Sequence, residues 1–248
     1  MTRIFGHRGA SGYAPENTLE SFALAAQQNA EGVELDVQLS RDGEVVVIHD
    51  ETIDRTSDHQ GRVMFHTLEE LKSFNFNNHN PDYPFCAIPT LREVFELLKP
   101  TPLMINVELK TGIFPYPGIE EKVISLVEEF GMEDRIIYSS FNHYSVAKIR
   151  QVKPEAYCGM LHTDCFIDMA HYAREHQMNA LHPAFWLLAD QNYVSQARDY
   201  GLDINSWTIN EDEYIDAALR LGINVLITNY PDRALEIRDH LIESGQIR

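Results

Sequence analysis

The chain has 248 residues, of which 44% are apolar and 23% are charged, and its formal net charge is −18. These values are typical of a soluble globular protein with one large domain. An acidic surface repels nucleic acid backbones and anionic membranes, so we expect neither nucleic acid nor stable membrane association. A small anionic substrate remains compatible with this composition, because a local pocket can be positive on an acidic protein.

Cysteine usage and the first residues of the chain predict a cytoplasmic protein. Cys86, Cys158 and Cys165 are odd in number and form no C-x-x-C pair, which argues against a disulfide framework and a zinc knuckle. The N-terminal residues lack the apolar segment of a signal peptide. No stretch approaches the ~18 apolar residues of a membrane-spanning helix. The sequence leaves the oligomeric state unknown.

Eight short apolar runs alternate with segments whose apolar residues recur at the helical period. The predicted strands are 4–9, 33–39, 103–109, 135–141, 156–162, 180–185, 203–209 and 225–230. The predicted helices are 18–30, 91–99, 119–130, 143–152, 169–177, 193–200, 213–221 and 234–244. This order predicts an α/β protein with a parallel sheet, and eight repeats favour a closed (β/α)8 TIM barrel. An open doubly wound sheet is the alternative.

Two local patterns refine this outline. Residues 51–89 are polar and interrupt the alternation, with one short predicted helix at 68–72. We interpret them as a small insertion after the second strand, on the catalytic face of a single domain that spans residues 1–248. At the start of the first predicted helix, Asn17 and Glu20 fit a capping box.

Glu34 and Asp36 lie two residues apart in the second predicted strand, so both side chains project from one face. Adjacent carboxylates repel each other unless a cation lies between them, which indicates a metal site. Glu108 and Lys110 repeat this spacing in the third strand. Three carboxylates suit a hard cation, Mg²⁺ or Ca²⁺, better than zinc. The alternatives are a polar layer inside the barrel and an ion pair within the third strand.

Asp42 and Gly43 lie between two β-rich runs, which is a strong signal for a hairpin with a two-residue loop. In that register Asp36 lies opposite His49, with Cβ atoms ~5 Å apart. The hairpin would then return His49 to the carboxylate pair. A bulge of one residue would shift the pairing.

His7 and Arg8 end the first predicted strand, where the active sites of barrels lie. Histidine can transfer protons near neutral pH, and arginine can bind two phosphate oxygens at once. His162 and His182 fall near the ends of later strands and are weaker candidates for the same pocket.

Several short motifs along the chain fit one pattern. They are His7-Arg8-Gly9, Pro15-Glu16-Asn17-Thr18, Glu34-Leu35-Asp36-Val37, Asp42-Gly43, His49-Asp50, Glu108-Leu109-Lys110, Ser139-Ser140-Phe141, Ser206-Trp207-Thr208 and Thr228-Asn229-Tyr230-Pro231-Asp232. Together they resemble the glycerophosphodiester phosphodiesterases of the bacterial, cytosolic type, and the resemblance covers nearly the whole chain. One position departs from the family pattern: Asn229 stands where an aspartate is usual, which keeps the shape of the side chain but removes its charge.

The resemblance implies a (β/α)8 barrel that hydrolyses glycerophosphodiesters to sn-glycerol 3-phosphate and an alcohol with a divalent metal ion. It also implies roles for eight residues: acid/base catalysis by His7 and His49, metal binding by Glu34, Asp36 and Glu108, phosphate binding by Arg8 and Lys110, and packing of Trp207 on the glycerol or the alcohol. It leaves open which histidine is the acid and whether water or a glycerol hydroxyl is the nucleophile.

Two other functions are alternatives to this one. A lysophospholipase D or phospholipase C-like enzyme would act on lipid head groups, but the net charge and the lack of an amphipathic anchor argue against it. A barrel that binds glycerophosphodiesters without turnover would be expected to have lost a histidine or a carboxylate. This chain retains a histidine at both positions that the resemblance assigns to catalysis and a carboxylate at all three positions that it assigns to metal binding.

Overall fold

Eight parallel strands close into a barrel in the computed structural model, which describes residues 1–247. The strands are β1 (Arg3–His7), β2 (Gly32–Leu39), β3 (Val45–Val47), β4 (Met104–Leu109), β5 (Ile136–Ser140), β6 (Tyr157–His162), β7 (Ala180–Pro183), β8 (Asp203–Ser206) and β9 (Val225–Thr228). All but β3 belong to the barrel, which is closed because β1 pairs with both β2 and β9. The predicted TIM barrel fold is confirmed.

Helices follow the barrel strands along the chain, and each of the eight predicted helices is present. They are α1 (Leu19–Gln27), α2 (Leu68–Ser73), α3 (Leu91–Leu98), α4 (Ile119–Phe130), α5 (His143–Val152), α6 (Met169–Glu175), α7 (Gln191–Asp199), α8 (Asp212–Leu221) and α9 (Pro231–Glu243). The additional helix α2 is the short one predicted at 68–72. Within residues 1–247, none of the helices combines the length and the hydropathy needed to cross a bilayer.

The main core lies between the barrel strands and the helices. Val33, Leu35 and Val37 of β2 are fully buried in it, together with Phe22 of α1 and Val94 of α3. Burial of each such side chain stabilises the fold by roughly 1.5–3 kcal/mol relative to exposure. Because side chains alternate along a strand, the intervening residues of β2 face the barrel interior. The fold therefore places polar residues of β2 inside the barrel.

The first helix begins one residue later than the predicted capping box. Thr18 is the N-cap: its hydroxyl accepts a hydrogen bond from the Ser21 backbone N–H at 3.2 Å, and the Ser21 hydroxyl accepts one from the Thr18 N–H at 3.3 Å. The predicted box of Asn17 and Glu20 is wrong. Thr18 and Ser21 are capping residues in their own right, and the Asn17 side chain binds elsewhere.

The hairpin of β2 and β3 is one residue out of the predicted register. Gly43 adopts a left-handed conformation with φ +82°, and its N–H donates to the Ser40 carbonyl at 3.0 Å. A left-handed glycine after a turn adds one residue to the loop. Ile48, not His49, therefore lies opposite Asp36 and donates its N–H to the Asp36 carbonyl at 2.9 Å. The predicted pairing of Asp36 with His49 is wrong.

The segment between β3 and α3 has a small core of its own. Its buried residues are Val46, Ile48, Ile53, Val63, Leu71, Phe76 and Ile88. Two of them belong to or follow β3, so the segment is anchored to the hairpin by apolar packing. The assignment of residues 51–89 as an insertion on the catalytic face remains a prediction.

Candidate active site

A cavity of about 170 Å³ lies at the carboxyl-terminal end of the barrel strands. Its lining residues are His7, Arg8, Glu34, His49, Asn106, Glu108, Phe141, Leu161, Trp207 and Ile227. One wall is charged and the other is apolar. Larger grooves of about 580 and 740 Å³ lie among the outer helices, but they contain none of these residues. We place the candidate site in the smaller cavity because the ionisable groups converge there.

Three buried carboxylates meet beside this cavity. Glu34, Asp36 and Glu108 each present an oxygen within 4.8 Å of the others. Strand geometry explains the cluster: Glu34 and Asp36 share the interior face of β2, and the parallel register places Glu108 of β4 beside Asp36. The two i, i+2 patterns of the sequence therefore bring their side chains to one point.

Glu34 and Asp36 of the cluster have shifted pKa values, and one carboxylate oxygen has no hydrogen-bond partner among the described residues. Burial, together with the charges of Asp36 and Glu108, raises the pKa of Glu34 well above its usual value. Burial also raises the pKa of Asp36, but the positive charge of Arg8, together with His49, Lys110 and the hydrogen bond from Asn17, lowers it further, to about 2. Oδ1 of Asp36 is buried and accepts no hydrogen bond from the described residues. Three oxygen donors and a buried oxygen without a partner fit a divalent cation, so this acidic triad can hold one.

Arg8 and Lys110 bring positive charge to the same place. Nε of Arg8 lies 3.3 Å from Oδ2 of Asp36. Nζ of Lys110 donates to Oε1 of Glu108 at 2.9 Å and lies 3.8 Å from Oδ1 of Asp36. The ion pair within one strand that the sequence offered as an alternative is therefore present, and it coexists with the acidic cluster. The cluster thus combines three carboxyl groups with two cationic side chains.

A left-handed turn after β1 directs the backbone of Arg8 into the site. Arg8 has φ +53° and Gly9 has φ +80°. In this conformation the Arg8 N–H donates to Oε2 of Glu34 at 2.9 Å. A Cβ atom on Gly9 would lie 2.4 Å from Oγ of Ser21, so glycine is required there for space as well as for φ. The histidine, arginine and glycine of this motif thus form one structural unit.

His7 is a largely buried, neutral imidazole with a fixed tautomer, and its side chain is 16% exposed. Its Nδ1 lies 2.7 Å from Oδ1 of Asn229. Because an amide oxygen can only accept, Nδ1 carries the proton and Nε2 is left as the basic nitrogen. Nε2 lies 3.4 Å from Oγ1 of Thr208 and 4.0 Å from Oε2 of Glu34. Burial, followed by the charge of Arg8, lowers the pKa of His7 to about 3.

His49 lies across the cavity and is paired with a carboxylate. Its Nδ1 is 2.6 Å from Oδ1 of Asp50, so Nδ1 donates and Nε2 is the nitrogen left for exchange with a ligand. Although the hairpin register differs from the predicted one, His49 still lines the same cavity as Glu34 and Glu108. The structure therefore brings the two histidines and the acidic cluster together.

The apolar wall is built from aromatic side chains. Phe141 and Trp207 pack edge to face, with ring centroids 5.5 Å apart, and the Trp207 indole N–H donates to the His182 carbonyl at 2.9 Å. His182 is buried in the barrel interior, whereas His162 is buried on the helix side of β6 with Nε2 2.9 Å from the Tyr193 hydroxyl, and neither lines the cavity. The two weaker histidine candidates are thus not brought to this site.

Two asparagines in the site were missed as functional candidates. Nδ2 of Asn17 donates to Oδ2 of Asp36 at 2.9 Å and so fixes a carboxylate of the acidic cluster. The amide oxygen of Asn229 accepts a hydrogen bond from His7. An uncharged side chain therefore orients the histidine at the position where the family pattern has aspartate. Both residues lie in motifs noted from the sequence, where Asn17 was assigned to a capping box and Asn229 was noted as a departure from the family pattern.

Comparisons with known proteins agree with the site. Residues 7–233 match the Glycerophosphoryl diester phosphodiesterase family. A glycerophosphodiester phosphodiesterase of Caldanaerobacter subterraneus subsp. tengcongensis is 37% identical to this chain, covering 95% of this chain and 97% of the relative. One from Bacillus altitudinis is 38% identical, covering 97% and 100%.

Solved structures share both the fold and the extent of the chain. An Oleispira antarctica phosphodiesterase in complex with the product sn-glycerol-3-phosphate superposes with a TM-score of 0.89 at 29% identity, covering 96% of this chain and 97% of that one. A putative glycerophosphoryl diester phosphodiesterase from Agrobacterium tumefaciens has a TM-score of 0.90 at 27% identity, covering 98% and 99%. The resemblance found in the motifs is confirmed, and the chain is an enzyme of the glycerophosphoryl diester phosphodiesterase family.

Proposed function

We propose that this enzyme hydrolyses glycerophosphodiesters to sn-glycerol 3-phosphate and an alcohol. The observation that carries the proposal is the convergence of two imidazoles, three carboxylates and two cationic side chains on one small cavity. The named activity of the relatives and the product bound to the Oleispira antarctica enzyme support this substrate class. A cavity of about 170 Å³ suits a small molecule.

We propose that Glu34, Asp36 and Glu108 hold a divalent cation, Mg²⁺ or Ca²⁺. Support comes from the raised pKa of Glu34, caused by burial and by its acidic neighbours, and from the buried Asp36 oxygen without a hydrogen-bond donor. Such an ion, when bound, supplies positive charge that offsets the negative charge of phosphoryl oxygens. Asn17 and the backbone N–H of Arg8 orient two of the three carboxylates.

In the proposed mechanism, Arg8 and Lys110 bind the phosphate group. A phosphodiester resists attack because its charged oxygens repel the nucleophile, and preorganised positive groups lower this barrier as charge builds in the transition state. The guanidinium of Arg8 is already held by Glu16 at 2.7 Å, so little reorganisation is required. Trp207, on the opposite wall, packs on the glycerol or the alcohol.

The two histidines exchange protons with the reacting groups. We assign the base role to His7, because its buried imidazole is neutral and presents Nε2. We assign the acid role to His49, because its Nδ1 is held by the carboxylate of Asp50, which leaves Nε2 to carry the proton for the leaving group. The base takes a proton from water or from a glycerol hydroxyl, and the acid gives one to the leaving alkoxide.

A substrate with an activated leaving group tests this assignment. Release of p-nitrophenol from glycerophospho-p-nitrophenol needs little protonation of the leaving oxygen, whereas release of choline from glycerophosphocholine needs it. We expect His49→Ala to lose much more activity on the choline ester than on the nitrophenyl ester. His7→Ala should lose activity on both, because the base is needed in each case. Equal losses on both esters in His49→Ala would refute the acid role.

Chelation tests the cation. We expect EDTA to abolish the formation of glycerol 3-phosphate, and added Mg²⁺ or Ca²⁺ to restore it. A coupled assay for glycerol 3-phosphate on several glycerophosphodiesters, with the metal varied, would also identify the preferred ion and head group. Full activity in the presence of the chelator would reject the three-carboxylate cation site.

We also infer a cytoplasmic location. Cys86 and Cys158 are buried free thiols and Cys165 is an exposed one, and unpaired thiols suit a reducing compartment. Fractionation of the producing cells, followed by immunoblotting, tests this inference.

A further inference from the structure

One side chain from outside the barrel reaches both sides of the candidate site. Arg55 lies in the segment between β3 and α3, six residues after His49. Its guanidinium donates to Asp50 through Nε at 2.7 Å and through Nη2 at 3.1 Å. It also donates to Glu16 through Nη1 at 2.6 Å and through Nη2 at 2.8 Å. Arg55 therefore holds two carboxylates at once, each with a bidentate contact.

Each of these carboxylates continues to a residue of the proposed mechanism. Asp50 accepts from Nδ1 of His49 at 2.6 Å, and Glu16 accepts from Nη1 of Arg8 at 2.7 Å. The hydrogen bonds thus run without a break from the imidazole that we assign as the acid to the guanidinium that we assign to the phosphate. Arg55 is the central member of this network.

The charges of the network favour this arrangement. The hydrogen bond from His49, followed by that from Arg55, holds the pKa of Asp50 well below its usual value. Burial raises the pKa of Glu16, but the hydrogen bond from Arg55 and the charge of Arg8 lower it further than burial raises it. Both carboxylates are therefore ionised and act only as acceptors. An ionised Asp50 accepts the Nδ1 proton of His49 and so fixes the orientation of the ring, which leaves Nε2 for the substrate.

We propose that Arg55 is a positioning residue that orients His49 through Asp50 and Arg8 through Glu16. The inference rests on the proposed function, because the roles of His49 and Arg8 belong to it. It also gives the segment between β3 and α3 a part in the reaction, because Arg55, which links the two carboxylates, comes from this segment.

Replacement of Arg55 separates a positioning role from a merely stabilising one. The side chain is 46% exposed, and ion pairs at such sites contribute little to folding stability. We expect Arg55→Ala to retain its melting temperature but to lose roughly 10–100-fold in kcat/KM, as is typical when a residue that orients an active-site ligand is removed. The matched control is Arg41→Ala. Arg41 is 55% exposed and lies 3.5 Å from Glu70, outside the network, so this variant should keep its activity.

Two further measurements test whether Arg55 acts through its partners. If it acts through Asp50, the double variant Asp50→Asn/Arg55→Ala should be no slower than the slower single variant, because the two residues work as a unit. Guanidinium ion at non-denaturing concentration should also restore part of the activity of Arg55→Ala, but not that of His49→Ala. Additive losses in the double variant would overturn the proposal.

An experiment without turnover keeps the inference separate from the proposed function. The Nδ1 proton of His49, hydrogen-bonded to Asp50, should give a downfield resonance in the NMR spectrum, assigned with His49→Gln. We expect this resonance to shift upfield or broaden in Arg55→Ala and to stay unchanged in Arg41→Ala. An unaltered resonance in Arg55→Ala overturns the positioning role. Absence of hydrolysis by the unmodified enzyme, with the resonance perturbed as expected, overturns only the proposed function.

Discussion

The barrel interior buries polar side chains in two regions, and the two compensate for burial in opposite ways. The charged half consists of Glu34, Asp36 and Glu108 with Arg8 and Lys110, near the carboxyl ends of β1, β2 and β4. Here burial is offset by ion pairs, and the acids still outnumber the cations. Buried charges of this kind are weak evidence for stability, because desolvation offsets much of their attraction.

The neutral half consists of His182 and Asn205 on β7 and β8, and the nearby His162 of β6 is buried on the helix side of the sheet against Tyr193. Burial lowers the pKa of His162 to about 4 and that of His182 to about 3, so both rings are uncharged at neutral pH. His182 Nε2 lies 2.9 Å from the Asn205 amide, and Gly159 makes room for the ring, since a Cβ there would lie 2.2 Å from Nε2. Nδ1 of His182 and Oδ1 of Asn205 have no hydrogen-bond partner among the described residues, so the neutral half avoids buried charge without satisfying every polar atom, whereas the charged half buries ionisable groups that a cation could bridge.

The largest expected difference between the halves is in catalysis. We expect His7→Ala, beside the charged half, to lower kcat/KM by roughly 10²–10⁴-fold, the usual contribution of a general base. His182→Ala should retain most activity per folded molecule but lower the free energy of unfolding by roughly 2–5 kcal/mol, as large-to-small core substitutions do. Steady-state kinetics and urea unfolding of both variants measure this contrast. A catalytic loss in His182→Ala as large as in His7→Ala would contradict this expected difference between the two halves.

The next difference concerns the response to divalent cations. We expect Mg²⁺ or Ca²⁺ to raise the free energy of unfolding by about 2.7 kcal/mol at a concentration one hundred times its Kd, because it binds only the folded chain. Glu34→Gln should lose this stabilisation, and His182→Ala, as the control from the neutral half, should retain it. Urea unfolding with and without the cation measures the effect. Equal stabilisation of Glu34→Gln would place the cation elsewhere.

A smaller effect should appear in the pH dependence of stability. Below pH ~6.5 the histidines of the unfolded chain bind protons, whereas folded His162 and His182 do not until about pH 4 and 3, so stability falls as the pH falls. Each should remove up to ~1.4 kcal/mol per pH unit. Urea unfolding between pH 7 and 5 should show a shallower slope for His182→Ala than for His171→Ala, whose side chain is exposed. Identical slopes would show that His182 is not buried in the neutral form.

The smallest expected effect lies at Asn229. Aspartate at this position would place a negative charge 2.7 Å from Nδ1 of His7 and so raise the pKa of that ring. We expect the acid limb of the pH profile of kcat/KM to move to higher pH in Asn229→Asp, with little change above neutrality. The comparison variant is Asn210→Asp, which lies in the same region but does not contact His7. An unchanged profile in Asn229→Asp would show that a charge at this position does not alter the pKa of His7.

The parts of the molecule that follow local rules could be predicted from the sequence. Alternation along β2 and β4 was sufficient to place Glu34, Asp36 and Glu108 on one face, and the repeated strand–helix pattern was sufficient for the barrel. The hairpin register was not predictable with certainty, since it depended on one left-handed residue, Gly43. The first capping box was ambiguous, because consecutive residues could each cap the helix.

Contacts between distant parts of the chain had no comparable signal. Asn229 and His7 are 222 residues apart, and Arg55 and Glu16 are 39 apart. No periodicity relates such positions, and only the folded chain brings them within hydrogen-bonding distance. The residues that orient the candidate site were therefore harder to identify than the residues that they orient.

The closure of the barrel by β1 and β9 has a consequence for protein synthesis. The acidic cluster comes from residues 34–108, whereas the partners of His7 are Thr208 and Asn229. A chain that emerges from the ribosome therefore exposes all three acids long before His7 can be held in its tautomer. The residues proposed to hold the ion are therefore synthesised before the residues that contact His7, and a nascent or stalled chain that lacks its last strand carries the carboxylates without Asn229.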